Sequence, residues 1–217
     1  MTCDPEKDPL GGYLRLRNER PDLFRNEGGP GAIDIVDPGQ ASVDAGALGL
    51  VYEDPYIRLL RDPVRFPDGR FGTYLRILGA ADGPGCAILP VIQDRVLLLE
   101  NYRHAVRAWT LEIPRGFGTD GLSAESNALK ELDEELSAQV ESITPIGAVH
   151  PDTGLSSQLV HLFFARLTAT GPLEAAEGIR GTITLTPGEL DSRIVDGTIT
   201  DGFTLAALTQ ARLRRLI

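Results

Sequence analysis

A chain of 217 residues can build one substantial core and leaves little room for a second independent domain. Its 42% hydrophobic and 24% charged content is that of a soluble globular protein, and its formal net charge of −10 excludes a general affinity for nucleic-acid backbones or anionic membranes, which need a basic footprint. Cys3 and Cys86 are too far apart for a disulfide scaffold or a zinc spacing, the polar start lacks the apolar core of a signal peptide, and no run approaches the roughly 20 apolar residues of a membrane span, so the cytoplasm is the expected compartment.

Residues 1–10 are rich in Pro and Asp and are expected to fray. From Gly12 to Arg25, Tyr13, Leu14, Leu16, Leu23 and Phe24 interleave with Arg and Asn, which predicts one or two short helical turns broken at Pro21. Asn26–Gly31 is a turn cluster, Ala32–Val36 alternates like a strand, and Pro38–Gly49 carries little signal. Strands are predicted at Val51–Leu60, Gly72–Leu78, Cys86–Val91 and Arg95–Glu100, with turns at Pro67–Arg70 and Gln93–Asp94 and a loop at Ala80–Gly85. This is a largely antiparallel meander without a βαβ rhythm, which disfavours a parallel doubly wound sheet.

A helix follows, ending in Lys130-Glu131-Leu132-Asp133-Glu134-Glu135-Leu136. Strands are predicted at Ile143–Val149, Leu159–Ala165 and Thr182–Thr186. Between them lie a turn-rich loop from His150 to Ser157, where Asp152 and Ser156 read as turn caps, and a mobile loop from Thr168 to Gly181. A short helix at Pro187–Val195 and a C-terminal helix ending Arg-Leu-Arg-Arg-Leu-Ile complete the chain, the basic ending suiting the helix dipole. His150 and His161 read as structural residues, with no third ligand clustered for zinc.

The acidic helix is the one stretch whose chemistry repeats at a usable spacing. At about 100° per residue, Glu131, Glu134 and Glu135 fall on one narrow face, while Leu129, Leu132 and Leu136 cluster well away from it. Like charges at i, i+3 and i+4 repel by a few tenths of a kcal/mol per pair, so the face calls for a cation. Mg²⁺ takes oxygen ligands and shares its shell with substrate phosphates. A solvated acidic face is the plain alternative.

The run from Gly116 resembles a Nudix box, whose pattern is G-x5-E-x7-R-E-U-x-E-E-x-G-U with U a bulky aliphatic residue. Gly116, Glu131, Glu134 and Glu135 match; Leu122 replaces the first Glu, Lys130 the Arg, Ser137 the late Gly and Ala138 the last aliphatic residue. The preceding run, Asn101-Tyr102-Arg103 to Glu112-Ile113-Pro114-Arg115-Gly116, is similar to the Q-Y-R…E-L-P-A-G run of the ADP-ribose pyrophosphatase branch, with Asn101 for Gln and Arg115 for Ala.

This resemblance covers roughly residues 50–217. It implies a Nudix α/β/α sandwich with a mixed, largely antiparallel sheet over 51–217, behind an N-terminal extension over 1–50 that packs on the body or on a homodimer partner. It implies Mg²⁺, with Mn²⁺ as an alternative, held by Glu131, Glu134, Glu135 and the carbonyl of Arg115. Arg103 would contact substrate phosphates and Glu112 would lie at the site. A loop carboxylate, Glu177 first and Glu174 second, would act with Glu135 on the attacking water. The implied reaction is hydrolysis of a nucleotide-sugar pyrophosphate, ADP-ribose above all. Another nucleotide sugar such as GDP-mannose, or a non-catalytic nucleotide-binding module, are the competing readings. Tyr13, Phe24, Tyr52, Tyr56 and Trp109 are candidates to stack on the base, none favoured by a motif.

Overall fold

A computed structural model describes residues 8–40, 48–173 and 178–217. The chain divides into two compact units, Met1–Ala80 with Asp152–Ser157, and Ala81–Pro151 with Gln158–Ile217.

In the first unit, helix α1 (Pro9–Glu19) starts where Asp8 accepts the Gly11 amide at 2.9 Å and Pro9 supplies a helix-ready φ. It stops ahead of Pro21, which opens a 3-10 turn, Pro21–Phe24. Strands β1 (Asp34–Ile35), β2 (Gly49–Glu53), β3 (Ile57–Arg65) and β4 (Phe71–Gly79) form an antiparallel sheet around β3, with β4 paired along its full length on one edge and β1 and β2 sharing the other. Tyr13 and Leu16 of α1 pack with Phe24, Leu60 and Leu78. A buried polar network fastens the helix to this sheet: Asp62 accepts the Tyr13 hydroxyl at 2.7 Å and the Arg76 guanidinium at 2.5 and 2.9 Å, and Arg76 also donates to the Leu23 carbonyl at 2.8 Å. Each buried charge thus has its partner, the condition under which such a pair is tolerated. The division expected at residue 50 falls inside β2, and within this unit the N-terminal helix packs on its own sheet.

The second unit holds β5 (Gly85–Ile92), β6 (Arg95–Arg103), β7 (Ala108–Glu112), β8 (Arg115–Gly116), helix α2 (Ala124–Leu136), β9 (Gln139–Val149), β10 (Val160–Ala169), β11 (Ile179–Leu185), α3 (Pro187–Val195) and α4 (Gly202–Leu213). The sheet order is β11-β6-β5-β10-β9, with β7 on β6 and β8 on β5. Among the described strands of this sheet, β5 and β10 are the one parallel pair. Gln93 and Asp94, both at positive φ, make the tight turn between β5 and β6, matching the twist of the strands. The two strands pair only at Val91↔Val96 and Ile92↔Arg95, after which β6 continues with β7 and β11 while β5 takes β8 and β10.

Alternation along the strands sorts the side chains into two layers. Cys86, Ile88, Leu97, Leu99 and Phe163 meet Ala128, Leu132 and Leu136 of α2 on one face. Ala87, Leu89, Val96, Leu98 and Phe164 meet Leu190 of α3 and Ala207, Leu208 and Ala211 of α4 on the other. The result is the expected α/β/α sandwich with a mixed, largely antiparallel sheet. Strand β9 starts at Gln139 rather than Ile143, and β11 starts at Ile179, inside the expected loop, because both find ladder partners that local sequence cannot supply.

Candidate active site

The register Leu99↔Glu112, Asn101↔Thr110, Arg103↔Ala108 puts Asn101, Arg103, Thr110 and Glu112 on the same face as Leu99, the face that α2 covers. Glu112 is 1% exposed. Its Oε2 accepts the Thr110 hydroxyl at 2.8 Å, while its Oε1 is ion-paired with Arg103 and lies 3.9 Å from Nε of Arg115. Arg115 stacks over the Phe203 ring at 5.1 Å. Burial first, and then the charge of Arg103, holds the Arg115 pKa below that of an ordinary arginine, with Glu112, Asp201 and Glu135 pulling the other way. Among the described residues, Asn101 Oδ1, Arg103 Nε and Arg115 Nε are buried without a hydrogen-bond partner, and Glu112 Oε1 has its ion pairs alone.

Helix α2 starts at Ser123, whose hydroxyl accepts the Ser126 amide at 3.1 Å. One turn in, fully buried Asn127 staples the loop that leads from β8: its amide donates to the Phe117 carbonyl at 2.9 Å and, more weakly, to Cys86 Sγ at 3.4 Å, and its oxygen accepts the Thr119 hydroxyl at 3.0 Å. Asn127 was not singled out from the sequence. An Asn four residues before the acidic run carries no local signal of what lies opposite it.

The three glutamates of α2 do not share one fate. Glu131 faces inward against Gly116, where an added Cβ would fall 2.1 Å from the carboxylate carbon. Glu135 is 5% exposed. Together the two carboxylates add to burial in pushing the Cys86 thiol up to about 12. Glu134 turns outward, half exposed, and accepts Lys130 at 2.5 Å, and Lys130 also lies 3.5 Å from Glu131. Part of the cation that this acidic face calls for is therefore supplied by the protein itself: Lys130, adjacent on the helix surface, neutralises its outer edge. Leu129, expected in the core, is 39% exposed, while Leu132 and Leu136 are fully buried as expected.

Among the described residues, no group of three or more His, Cys, Asp or Glu side chains is gathered to hold a metal ion. The donors that do face inward, Glu131 and Glu135, adjoin β8, which carries the Arg115 carbonyl. Two carboxylates and a carbonyl suit a hard cation that keeps several waters, and the pocket left by the missing Gly116 side chain admits the Glu131 carboxylate. Glu134 fits that set only if it leaves Lys130. Glu174 and Glu177, the expected loop carboxylates, lie outside the described residues.

Other departures from the Nudix pattern have local explanations. Ser137 caps α2 in the left-handed region, at φ 45°, where glycine is the usual occupant, and its hydroxyl donates to the Pro172 carbonyl at 3.1 Å. Asp152 accepts the Gly154 amide at 2.8 Å, a turn cap as read from the sequence. His150 has a structural partner in the Gln158 carbonyl, 2.8 Å from Nδ1. Of the aromatic candidates, Tyr13 and Phe24 are buried within the first unit and so have no free face for a base. Trp109 is 45% exposed and already carries the Arg180 guanidinium at 4.3 Å.

No family model matches the chain. Curated relatives include an ADP-sugar pyrophosphatase of Mus musculus, 29% identical over 52% of this chain and 56% of that protein, and an ADP-ribose pyrophosphatase of Bacillus subtilis (strain 168), 24% identical over 53% and 61%. A methanol dehydrogenase activator of Bacillus methanolicus is 24% identical over 54% of this chain and 62% of its own length. The chain thus spans little more than half of the relatives it matches. Among solved structures, an ADP compounds hydrolase superposes with a TM-score of 0.65 at 16% identity, covering 77% of this chain and 95% of the other, which establishes the shared fold. Box, flanking run, fold and relatives all point to a likeness to the ADP-ribose pyrophosphatase branch of the Nudix hydrolases.

Proposed function

We propose that the chain hydrolyses the pyrophosphate of a nucleoside diphosphate sugar, ADP-ribose to AMP and ribose 5-phosphate being the first choice, with a divalent metal as cofactor. The observation that carries this reading is the pair of inward carboxylates, Glu131 seated against Gly116 and Glu135 buried beside it, next to the Arg103–Glu112 ion pair. An acid pair adjoining an arginine suits a substrate that brings its own anions and a cation to bridge them.

Glu131, Glu135 and the Arg115 carbonyl would hold Mg²⁺, or Mn²⁺ in its place, with Glu134, held outward by Lys130, a lesser contributor from the edge of the set. Bound there, the ion supplies charge neutralisation on phosphate oxygens and lowers the pKa of a coordinated water. Arg103, oriented by Glu112, binds the phosphates and keeps them in line for attack. Glu135 acts at the water together with a loop carboxylate, Glu177 before Glu174, which takes its proton. A homodimer in the cytoplasm, to which the N-terminal residues contribute contacts, completes the proposal.

The decisive assay is a panel of nucleotide sugars, ADP-ribose and GDP-mannose among them, incubated with Mg²⁺ or Mn²⁺ and read by the release of nucleoside monophosphate. Release of AMP from ADP-ribose, abolished in Glu135→Gln, is the expected result. A full rate in Glu135→Gln overturns the metal assignment. A second reading, a nucleotide-binding module without catalysis, draws on Leu122, Lys130 and Ser137 in place of the usual box residues; it predicts binding of ADP-ribose with no product.

A further inference from the structure

Arg115 stands where the resembled branch has alanine, and its side chain has a place in the site as well as its carbonyl. Resting on the pyrophosphatase reading above, we propose that the Arg115 guanidinium is a second phosphate-binding group, which grips the diphosphate of the substrate alongside Arg103.

Two guanidinium groups here share one buried carboxylate. Arg103 takes the ion pair with Glu112, and Arg115 is left with Nε 3.9 Å from the same oxygen, beyond hydrogen-bond reach. Among the described residues, Nε of each arginine is buried without a hydrogen-bond partner. A guanidinium offers five N–H donors in a planar fork, so a single carboxylate oxygen leaves most of this pair's donors unspent.

An arginine meant only to pin helix α4 would spend its donors on Asp201, the acid at the start of that helix. The Oδ2 of Asp201 is instead committed to the Thr204 amide at 2.8 Å and the Thr204 hydroxyl at 2.7 Å, and among the described residues Asp201 makes no ion pair with Arg115. What holds Arg115 is its cation–π contact with Phe203, the guanidinium carbon 5.1 Å from the ring centroid, which takes up no N–H donor and leaves them for a ligand.

Bringing two cations onto one carboxylate oxygen in a desolvated place is unfavourable, since a single charge offsets only one of them. A ligand with two adjacent anionic groups, each offering a pair of oxygens spaced to match a guanidinium fork, relieves that cost. A diphosphate has both properties, with one phosphate for each guanidinium. Arg115 also links the two halves of the site, since the next residue, Gly116, makes room for the Glu131 carboxylate.

The test uses the full chain with Mg²⁺ and compares wild type with Arg115→Met, which keeps the apolar stem on Phe203 and removes the charge, and with Arg115→Lys, which keeps a charge without the fork. Arg115→Met is expected to raise KM for ADP-ribose about tenfold with kcat within about threefold, and to weaken binding of ADP, measured calorimetrically, by the same factor. Arg115→Lys is expected to fall between. An unchanged KM and unchanged ADP affinity in folded Arg115→Met overturn the proposal while leaving the hydrolase reading intact. If wild type hydrolyses nothing in the panel, the hydrolase reading fails on its own, and ADP affinity still decides this one: a loss in Arg115→Met supports it, equal binding or no binding by wild type overturns it. Should Arg115→Met not fold, the same readings are taken from Arg115→Lys; if neither folds, the side chain is structural and the proposal is overturned.

Discussion

The carboxylate of Glu131 occupies the space that a side chain at residue 116 would fill: a Cβ on Gly116 would lie 2.1 Å from its Cδ and 2.2 Å from its Oε1. A helix acid and a strand glycine fifteen residues apart in sequence therefore define one cradle. Gly116→Ala must push the Glu131 carboxylate out of this seat, since the flexible side-chain tip yields before the backbone of β8 does. We expect hydrolysis of ADP-ribose to fall about 100-fold, as ångström-scale misplacement of a catalytic group does, with Mn²⁺ affinity lowered in the same variant. Titration followed by electron paramagnetic resonance checks the second effect independently of turnover.

The split among the three glutamates gives an order of sensitivity. Glu131→Gln and Glu135→Gln remove inward charges and are each expected to cost at least about 100-fold in rate and to weaken Mn²⁺ binding. Glu134→Gln removes an outward group already paired with Lys130 and is expected to stay within about tenfold of wild type. An equal loss in all three means that Glu134 leaves Lys130 to join the site. Lys130→Met should change stability by less than about 1 kcal/mol, since its closer ion pair, with Glu134, is exposed and the one with Glu131 is long at 3.5 Å.

Asn127 connects the helix to the loop that carries the site glycine. Asn127→Ala strands the Phe117 carbonyl and the Thr119 hydroxyl and opens space at a fully buried position. A loss of about 2 to 3 kcal/mol is expected, measured by urea unfolding. The conservative Asn127→Asp should be nearly as damaging, because a carboxylate cannot donate to that carbonyl.

Cys86 supplies a pH-dependent observable. Burial, then the charges of Glu131 and Glu135, raise its pKa to about 12 from the ordinary 9.0. The folded chain thus holds the thiol proton more tightly than the unfolded chain. This contribution to stability is fully present below pH 9 and is lost as pH rises from about 9 towards 12. Two outcomes follow. Iodoacetamide at pH 8 should leave Cys86 unmodified in the folded protein and alkylate it in urea, as located by peptide mass spectrometry, because the thiolate is the nucleophile. Cys86→Ala should flatten the alkaline fall in urea-unfolding free energy above pH 9.

What the residues determined by themselves was whatever is local. The 3.6-residue period gave the acidic helix, alternation gave the strands of the sandwich, and Pro, Gly and Asp placed turns at Pro67–Arg70 and at Asp152, because such preferences act within a few residues. Glu131 and Glu135 became candidates through a box whose spacing is itself a helix repeat, and Arg103 and Glu112 through the run that precedes it. Tertiary structure alone decided how those parts are used. It turned Glu134 out to Lys130 and Glu131 in to Gly116, made Asn127 a staple, and left Arg115 sharing Glu112 with Arg103. Each of these depends on which atoms lie opposite a side chain across a sheet or between layers, and that is fixed by register and packing, on which a helical wheel is silent.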